Sequence, residues 1–162
     1  MKGENTMNGC RKVLVAVNGS KEVLTQGLKL IGPEKCWITV VKVYPPYEGD
    51  LSMVGVRNID DVMSGGSERD VSEIKEIAQS EGISVKVRVE TGEIDKKIVE
   101  VAEEENSDLI IMGASGQNSL KKLFLGNLLD EVSRQAPCPV LVVNDHKVLH
   151  DNYLYHFCES TV

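Results

Sequence analysis

The hydrophobic positions along the chain form two kinds of segment that alternate. Five short runs rich in β-branched residues predict strands, at residues 13–17, 36–43, 84–90, 109–112 and 140–143. All but the third lack polar alternation, which is typical of strands buried on both faces of a parallel sheet. Segments with apolar residues at helical spacing separate the runs. The order βαβαβαβαβ therefore predicts an α/β fold, a three-layer sandwich around a doubly wound parallel sheet.

Capping residues and glycines predict where the helices begin and end. Ser20 is expected to cap the first helix, and Gly32-Pro33 to end it. Ser67 is expected to cap the second helix, which Gly82 ends. The residues predicted to face the core share helical spacing within each segment: Leu24, Gly27, Leu28 and Ile31; Val71, Ile74, Ile77 and Ala78; Ile94, Ile98, Val101 and Ala102; Leu128, Leu129 and Val132.

The third predicted strand differs from the others because its polar and apolar residues alternate strictly. Its valines lie on one face, while Lys86 and Arg88 lie on the other. This pattern predicts a half-exposed strand at the edge of the sheet. The helix that follows has an acidic outer face, which we interpret as a solvated surface: Glu100, Glu103, Glu104 and Glu105.

Three segments do not fit the alternation of strands and helices. Residues 45–66 contain several prolines and glycines and are predicted to be a solvated insert or, alternatively, a lid over a site at the strand ends. Residues 1–10 are polar and are predicted to be a flexible tail. Residues 145–162 contain all three histidines and an alternating aromatic pattern, which favours an added strand or a segment that packs on another subunit. The α/β domain is thus predicted to span residues 11–144.

Charge and composition narrow the range of functions. The formal net charge of −7 argues against nucleic-acid binding, which needs a basic surface. No apolar run is long enough to span a bilayer, and the first ten residues do not resemble a signal peptide, so we expect a cytoplasmic protein without membrane contact. The four cysteines are scattered and form no CxxC pair, which favours reduced thiols and predicts no metal site.

A glycine-containing stretch after the fourth predicted strand is the candidate for chemistry. Gly113 follows the strand directly, and Gly116 would allow a close backbone approach or a positive φ. Gly126-Asn127 is expected to precede the fourth helix, with Asn127 as its N-cap. An anion there would meet free N–H groups and the positive end of the helix dipole, with Ser115 as a further donor. On this pattern alone, tight turns without a ligand are an equal alternative.

These residues are similar to a known family. The stretch GASGQNSLKKLFLGN resembles the G-x2-G-x9-G-[S/T] motif of ATP-binding members of the universal stress protein family. The likeness covers nearly all of residues 11–144, including VLVAVNGS at the first strand, Val-Tyr-Pro after the second, TGE after the third and APCPVLVV at the fifth. It implies an adenine nucleotide alpha-hydrolase-like fold with a five-stranded sheet of order 3-2-1-4-5. It also implies ATP as ligand, with or without Mg²⁺, and a homodimer formed through the last strand.

The resemblance also implies a set of nucleotide-binding positions. They would contact the adenine, the ribose or the phosphates: Ala16, Asn18, Val43, Met112, Gly113, Ser115, Gly116, Gly126, Asn127 and Leu128. Two of them depart from the family pattern. Asn18 stands where ATP binders usually have Asp, and Asn127 stands where they have Ser or Thr.

Three functions remain open at the level of sequence. The first is an ATP-binding, dimeric stress-response module. The second is a signalling or interaction protein of the same fold that binds no nucleotide, which the substitution at Asn18 favours. The third is a slow ATPase, but the nearest acids to the glycines are Asp108, expected at the opposite end of the sheet, and Asp130, on the fourth helix. We therefore predict no catalytic residue.

Overall fold

The computed structural model describes residues 11–17, 21–32, 36–46, 59–113 and 122–143, with the backbone alone for residues 59–66 and 122–127. The elements follow one another in the order β1 (Arg11–Ala16), α1 (Lys21–Ile31), β2 (Cys36–Tyr44), α2 (Ile59–Ser80), β3 (Lys86–Thr91), α3 (Ile94–Glu104), β4 (Leu109–Gly113), α4 (Lys122–Gln135) and β5 (Val140–Val143). No helix within these ranges is long and apolar enough to cross a membrane.

The five strands form one parallel sheet in the order β3-β2-β1-β4-β5. The chain moves outward from β1 through β2 to β3, then crosses back to β4 beside β1 and continues to β5. Strand order therefore reverses between β1 and β4, which confirms the predicted doubly wound sheet and its order. The alternating third strand lies at the edge of the sheet, as its pattern predicted.

The hydrophobic core consists of one layer on each face of the sheet. Val13 and Val15 of β1 point to the face that α1 and α2 cover. Leu14 and Ala16 point to the face that α3 and α4 cover. Both sets are buried, because successive side chains of a strand point in opposite directions and helices cover both faces.

Glycines set the position and the ends of two helices. Gly27 is buried within α1 and faces the sheet, where a Cβ would lie 3.5 Å from Cγ2 of Ile111, an ordinary van der Waals contact. Gly32 follows α1 with a φ of 67°, and Gly82 follows α2 with a φ of 71°. Both angles belong to the left-handed region that favours glycine, which confirms the predicted helix ends.

Helix α2 begins earlier than predicted. Residues 59–66 are helical, so Ser67 lies inside α2 and not at its N-cap, and the predicted insert of residues 45–66 is wrong in its second half. An interior glycine costs about 1 kcal/mol relative to alanine, which made Gly65-Gly66 look like a helix boundary. The overlooked signal is the helical spacing of Ile59, Val62 and Met63, which extends the apolar face of the helix towards its start.

Ion pairs join the edge strand β3 to the end of α3. The guanidinium of Arg88 contacts Glu90 at 2.6 Å, Glu104 at 2.7 Å and Glu105 at 3.1 Å, and Lys86 Nζ lies 2.7 Å from Glu105. The hydrogen bond from Lys86 holds the pKa of Glu105 below its usual value. The acidic face of α3, interpreted above as solvated, thus uses two of its carboxylates to hold β3.

Candidate nucleotide-binding site

The reversal of strand order brings the ends of β1 and β4 together. Val15 is in register with Ile111, so Ala16 and Met112 stand side by side where the two strands end. Gly113 ends β4 in register with Val143 of β5. Ligands of open α/β sheets bind in the crevice outside the carboxyl ends of the strands at such a reversal. This edge is therefore the candidate site.

The structure brings four of the predicted residues together below this edge. Ala16, Val43 and Met112 are buried in the core layer on the α3 and α4 side, and Leu128 packs against the same layer. Because the core takes up their side chains, a ligand at the edge would meet mainly backbone atoms of Ala16 and Val43. This agrees with the backbone contacts to adenine that the resemblance implies for these two residues.

The start of α4 corrects one part of the predicted site. The helix begins at Lys122, so Gly126 and Asn127 lie within it, about one turn from its start, and Asn127 is not the N-cap. The free N–H groups of the helix start belong to residues 122–125. Leu125, Leu129 and Val132 have the spacing of one helix face, and that apolar face extends the helix across the glycine.

The remaining predicted site residues lie outside the described residues. These are Asn18, which follows β1, and Ser115 and Gly116, which follow β4. The described chain stops at Val17 on one side and at Gly113 on the other. Val17, just after β1, and Gly113, the last residue of β4, lie at the ends of neighbouring strands, at the edge where the strand order reverses.

The two acids considered as possible bases lie in different places. Asp108 is at the amino ends of the strands: its Oδ2 accepts a hydrogen bond of 2.9 Å from the N–H of Lys12, and its own N–H donates one of 2.7 Å to the carbonyl of Lys12. This confirms that Asp108 lies at the end opposite to the candidate site. Asp130 is exposed on α4.

A polar cluster that sequence reasoning missed lies beside the carboxyl end of β2, on the α2 side. The hydroxyl of Tyr44 donates a hydrogen bond to Asp70 of α2, and Lys42 forms an ion pair with the same carboxylate. Lys42 Nζ also lies 5.3 Å from the centroid of the Tyr44 ring. The available signal was Lys42 itself, a charged residue within an otherwise apolar strand. The cluster fixes α2 against the sheet next to the candidate site.

The cluster shifts the pKa values of Tyr44 and Asp70 in opposite directions. Burial, together with the bond to the Asp70 carboxylate, raises the pKa of Tyr44 to about 12. For Asp70, partial burial acts to raise the pKa, but the hydrogen bonds from Lys42 and Tyr44 outweigh it and hold the pKa below its usual value. Both shifts stabilise the folded state near neutral pH, where the carboxylate is charged and the phenol is neutral.

Asp70→Asn is expected to lower the free energy of unfolding at neutral pH by roughly 1–3 kcal/mol, because it removes a charge-assisted acceptor. The folded pKa of Asp70 is lowered, so its contribution is complete above the unfolded value of 3.8 and is lost as the pH falls through the folded pKa. The raised pKa of Tyr44 acts at the other end: its contribution is complete below 10.0 and is lost as the pH rises towards 12. Urea unfolding between acid and alkaline pH measures both.

The control for this prediction is Glu73→Gln. Glu73, also on α2, pairs with Lys21 of α1, but both side chains are exposed. Exposed pairs contribute at most about 1 kcal/mol. If the two variants lost equal stability at neutral pH, or if the stabilities of Asp70→Asn and wild type did not converge in acid, the assigned role of Asp70 would be wrong.

The fold and the position of the candidate site define a class of protein, the adenine nucleotide alpha-hydrolase-like α/β domains. Within this class the assignment is specific, because the model of the universal stress protein family matches residues 9–144. The chain belongs to the universal stress protein family.

Individual relatives agree with this assignment. The chain is 29% identical over 153 residues to universal stress protein MJ0531 of Methanocaldococcus jannaschii, covering 88% of this chain and 87% of the relative. It is 28% identical over 155 residues to a putative universal stress protein of Staphylococcus aureus strain USA300, covering 87% of this chain and 88% of the relative.

Solved structures share the fold. The hypothetical protein MJ0577 aligns with a TM-score of 0.70 at 24% identity, over 85% of this chain and 97% of that one. A universal stress protein in complex with cAMP aligns with a TM-score of 0.63 at 20% identity, over 84% and 98%. A universal stress protein from Archaeoglobus fulgidus in complex with dAMP aligns with a TM-score of 0.57 at 19% identity, over 83% and 98%.

Proposed function

We propose that the protein binds an adenine nucleotide, ATP in particular, at the carboxyl ends of β1 and β4 and acts as a dimeric stress-response module in the cytoplasm. The observation that carries the proposal is the reversal of strand order at Ala16 and Met112, followed on the β4 side by the glycine-containing connection to α4. The complexes of two structural neighbours with cAMP and dAMP support an adenine nucleotide as ligand.

The proposed binding residues fall into three groups by position. Backbone atoms of Ala16 and Val43 meet the adenine, and Asn18 adds a side-chain amide that both donates and accepts hydrogen bonds. Met112, Gly113, Ser115 and Gly116 line the ribose and the phosphates. Gly126, Asn127 and Leu128 contribute from the first turns of α4, whose positive dipole end stabilises an anion.

Calorimetric titration tests the proposal. ATP, ATP with Mg²⁺, cAMP and dAMP are titrated into the purified protein, with GTP as the control for base recognition. Saturable binding of adenine nucleotides that GTP does not reproduce is the expected result. No heat of binding up to millimolar concentrations of any adenine nucleotide would refute the proposal.

A second candidate function follows from two observations at the same edge. Asn18 lacks the charge of the Asp that the family's ATP binders usually have, and α4 begins four residues before Gly126. Both favour a signalling or interaction protein of the same fold that binds no nucleotide. The test is to denature the purified protein and analyse the released material by chromatography. Absence of nucleotide, together with failed titration, would support this second function.

The proposed dimer rests on the contrast between the two edges of the sheet. The edge strand β5 leaves Leu141 and Val142 exposed by 39% and 40%. The other edge, β3, carries Lys86, Arg88 and Glu90, whose charges disfavour pairing with another strand. Among the residues that the structure describes, no strand pairs with the outer side of β5. An apolar edge of this kind is a ready surface for a second copy of the chain, so β5 is the proposed interface.

Leu141→Lys is expected to convert the dimer into a monomer, because it places a charge at the centre of the proposed interface. Analytical ultracentrifugation of the variant and the wild type at equal concentrations measures the change. The matched control is Leu30→Lys, which changes an exposed leucine on α1 in the same way. A wild type that is monomeric, or a Leu141→Lys variant that remains dimeric, would contradict the proposed interface.

A further inference from the structure

A second concave region lies at the end of the sheet opposite to the proposed nucleotide site. It runs across the amino ends of β1, β2 and β3 and has a volume of about 690 Å³. We call it the amino-end groove; its lining includes Lys12, Trp37, Thr39, Val85, Lys86 and Ser107. Small-molecule sites commonly have volumes of about 300–1,000 Å³ and an apolar lining with a few polar groups.

Trp37 is the most unusual residue of the groove. It is the only tryptophan of the chain and is 70% exposed, although it belongs to β2, whose next four residues are buried. Thr39, two positions along and on the same face, is only 7% exposed. An indole presented in this way offers a flat apolar surface, which aromatic ligands use for stacking.

Lys12 provides a charge beside this ring. Its Cα is in register with that of Trp37 on the neighbouring strand, so both side chains leave the same face about 5 Å apart. Lys12 is exposed and forms no ion pair with any residue that the structure describes. The second lysine, Lys86, is neutralised by Glu105 at 2.7 Å. Among the described residues, Lys12 is therefore the one lysine of the groove without an ion-pair partner, in a chain of net charge −7.

We propose that the amino-end groove binds a small planar amphipathic anion. Its aromatic or conjugated body lies against Trp37, and its single carboxylate or sulfonate faces Lys12. A polyphosphate fits poorly, because only one cation is left unpaired. Ala16 lies four positions after Lys12 along β1, about 13 Å of strand, so this site is independent of the nucleotide site.

Anilinonaphthalene sulfonate, an aromatic body with one sulfonate, is a suitable probe, and Trp37 supplies the donor for energy transfer to it. The expected result is saturable binding of one probe per chain with energy transfer from Trp37. The fluorescence of the probe itself then measures affinity in the variants. Trp37→Ala and Lys12→Gln should each weaken binding roughly tenfold, which is the effect of losing one stacking or charge-assisted contact.

Two controls separate this site from non-specific binding. Lys29→Gln changes another exposed lysine, on α1, and should leave the affinity of the probe unchanged. Naphthoate should compete with the probe, whereas the neutral naphthalenemethanol should compete at least roughly tenfold more weakly, because it lacks the charge that faces Lys12. Circular dichroism confirms that the variants are folded, as expected for changes at two exposed positions.

Three outcomes would overturn the proposal. The first is displacement of the probe by ATP, which would place the probe in the nucleotide site. The second is unchanged affinity in both Trp37→Ala and Lys12→Gln. The third is that, in the absence of the probe, Trp37 becomes protected from iodide quenching as the protein concentration rises. This result would mean that the face is an interface between copies of the chain. Failure of ATP titration leaves the groove proposal standing, since the two sites share no residue.

Discussion

Gly116→Val is expected to abolish binding of adenine nucleotides, with a loss of affinity of at least roughly a hundredfold, about 2.7 kcal/mol. The resemblance to ATP-binding universal stress proteins places Gly116 where the backbone approaches the phosphates. A valine there adds a Cβ and two methyl groups on that path, and its branched side chain restricts the backbone. Because Gly116 comes between β4 and α4 in the sequence and belongs to neither element, the free energy of unfolding should change little.

The control for this variant is Ser119→Val, which introduces the same side chain into the same connection at a spacer position of the motif, where the pattern requires no glycine. Calorimetric titration with ATP measures both affinities, and urea unfolding measures both stabilities. Gly116→Val with wild-type affinity would remove Gly116 from the site. Equal losses of affinity in the two variants would mean that the connection as a whole, and not the glycine, determines binding.

Ile111→Ala is expected to lower the free energy of unfolding by roughly 2–5 kcal/mol, the range for truncating a buried aliphatic side chain. Ile111 is fully buried at the centre of the sheet, on the face that α1 covers. Protein interiors are close-packed, so the neighbouring side chains can fill the resulting cavity only in part. The loss should therefore fall in the upper part of the range.

Leu141→Ala is the matched control for this loss. Leu141 is the register partner of Ile111 on the neighbouring strand, but it is exposed by 39%. Its truncation should cost about 1 kcal/mol or less in the monomer. Urea unfolding at low protein concentration measures both variants without a contribution from the proposed dimer. Equal losses would contradict the assignment of Ile111 to the core and of Leu141 to the surface.

The strands were predictable because buried strands have a recognisable sequence pattern. The predicted strand at residues 140–143 agrees with β5, and the strand at residues 36–43 with β2 to within one residue. Runs of β-branched residues without polar alternation can be stable only where helices cover both faces. The alternation of Lys86 and Arg88 with valines likewise predicted an edge, since only an edge strand leaves one face open to charged groups.

The helix starts were less predictable because local and tertiary preferences conflict there. At Ser67 and at Asn127, a good capping residue next to glycine predicted a boundary. In both cases the helix begins further towards the amino terminus, where the sequence has apolar residues at helical spacing, despite the glycine penalty of about 1 kcal/mol. Propensity is a weak guide when a longer amphipathic face is available for packing.

The candidate site was only partly accessible from the residues themselves. The local sequence pattern was sufficient to predict the glycines after β4. Ala16 and Val43 were predicted only from the family resemblance, because the sequence of an apolar strand does not indicate which of its residues contacts a ligand. The cluster of Tyr44, Lys42 and Asp70 depends on a contact between residues far apart in sequence. Such contacts require the fold, which places α2 against the end of β2.

The ion pairs that cover β3 have a consequence for how copies of the chain can assemble. Pairing the β3 edge of one copy with the β5 edge of the next would be a head-to-tail contact, which leaves a free edge at every step and can grow into a filament. The salt bridges of Arg88 to Glu90, Glu104 and Glu105 disfavour this mode, because a new strand would meet a row of charged side chains already held in place. Pairing between two β5 edges, in contrast, has two-fold symmetry and closes after two copies. In the proposed dimer the charged edge would therefore limit the size of the assembly, and its neutralisation would permit polymers.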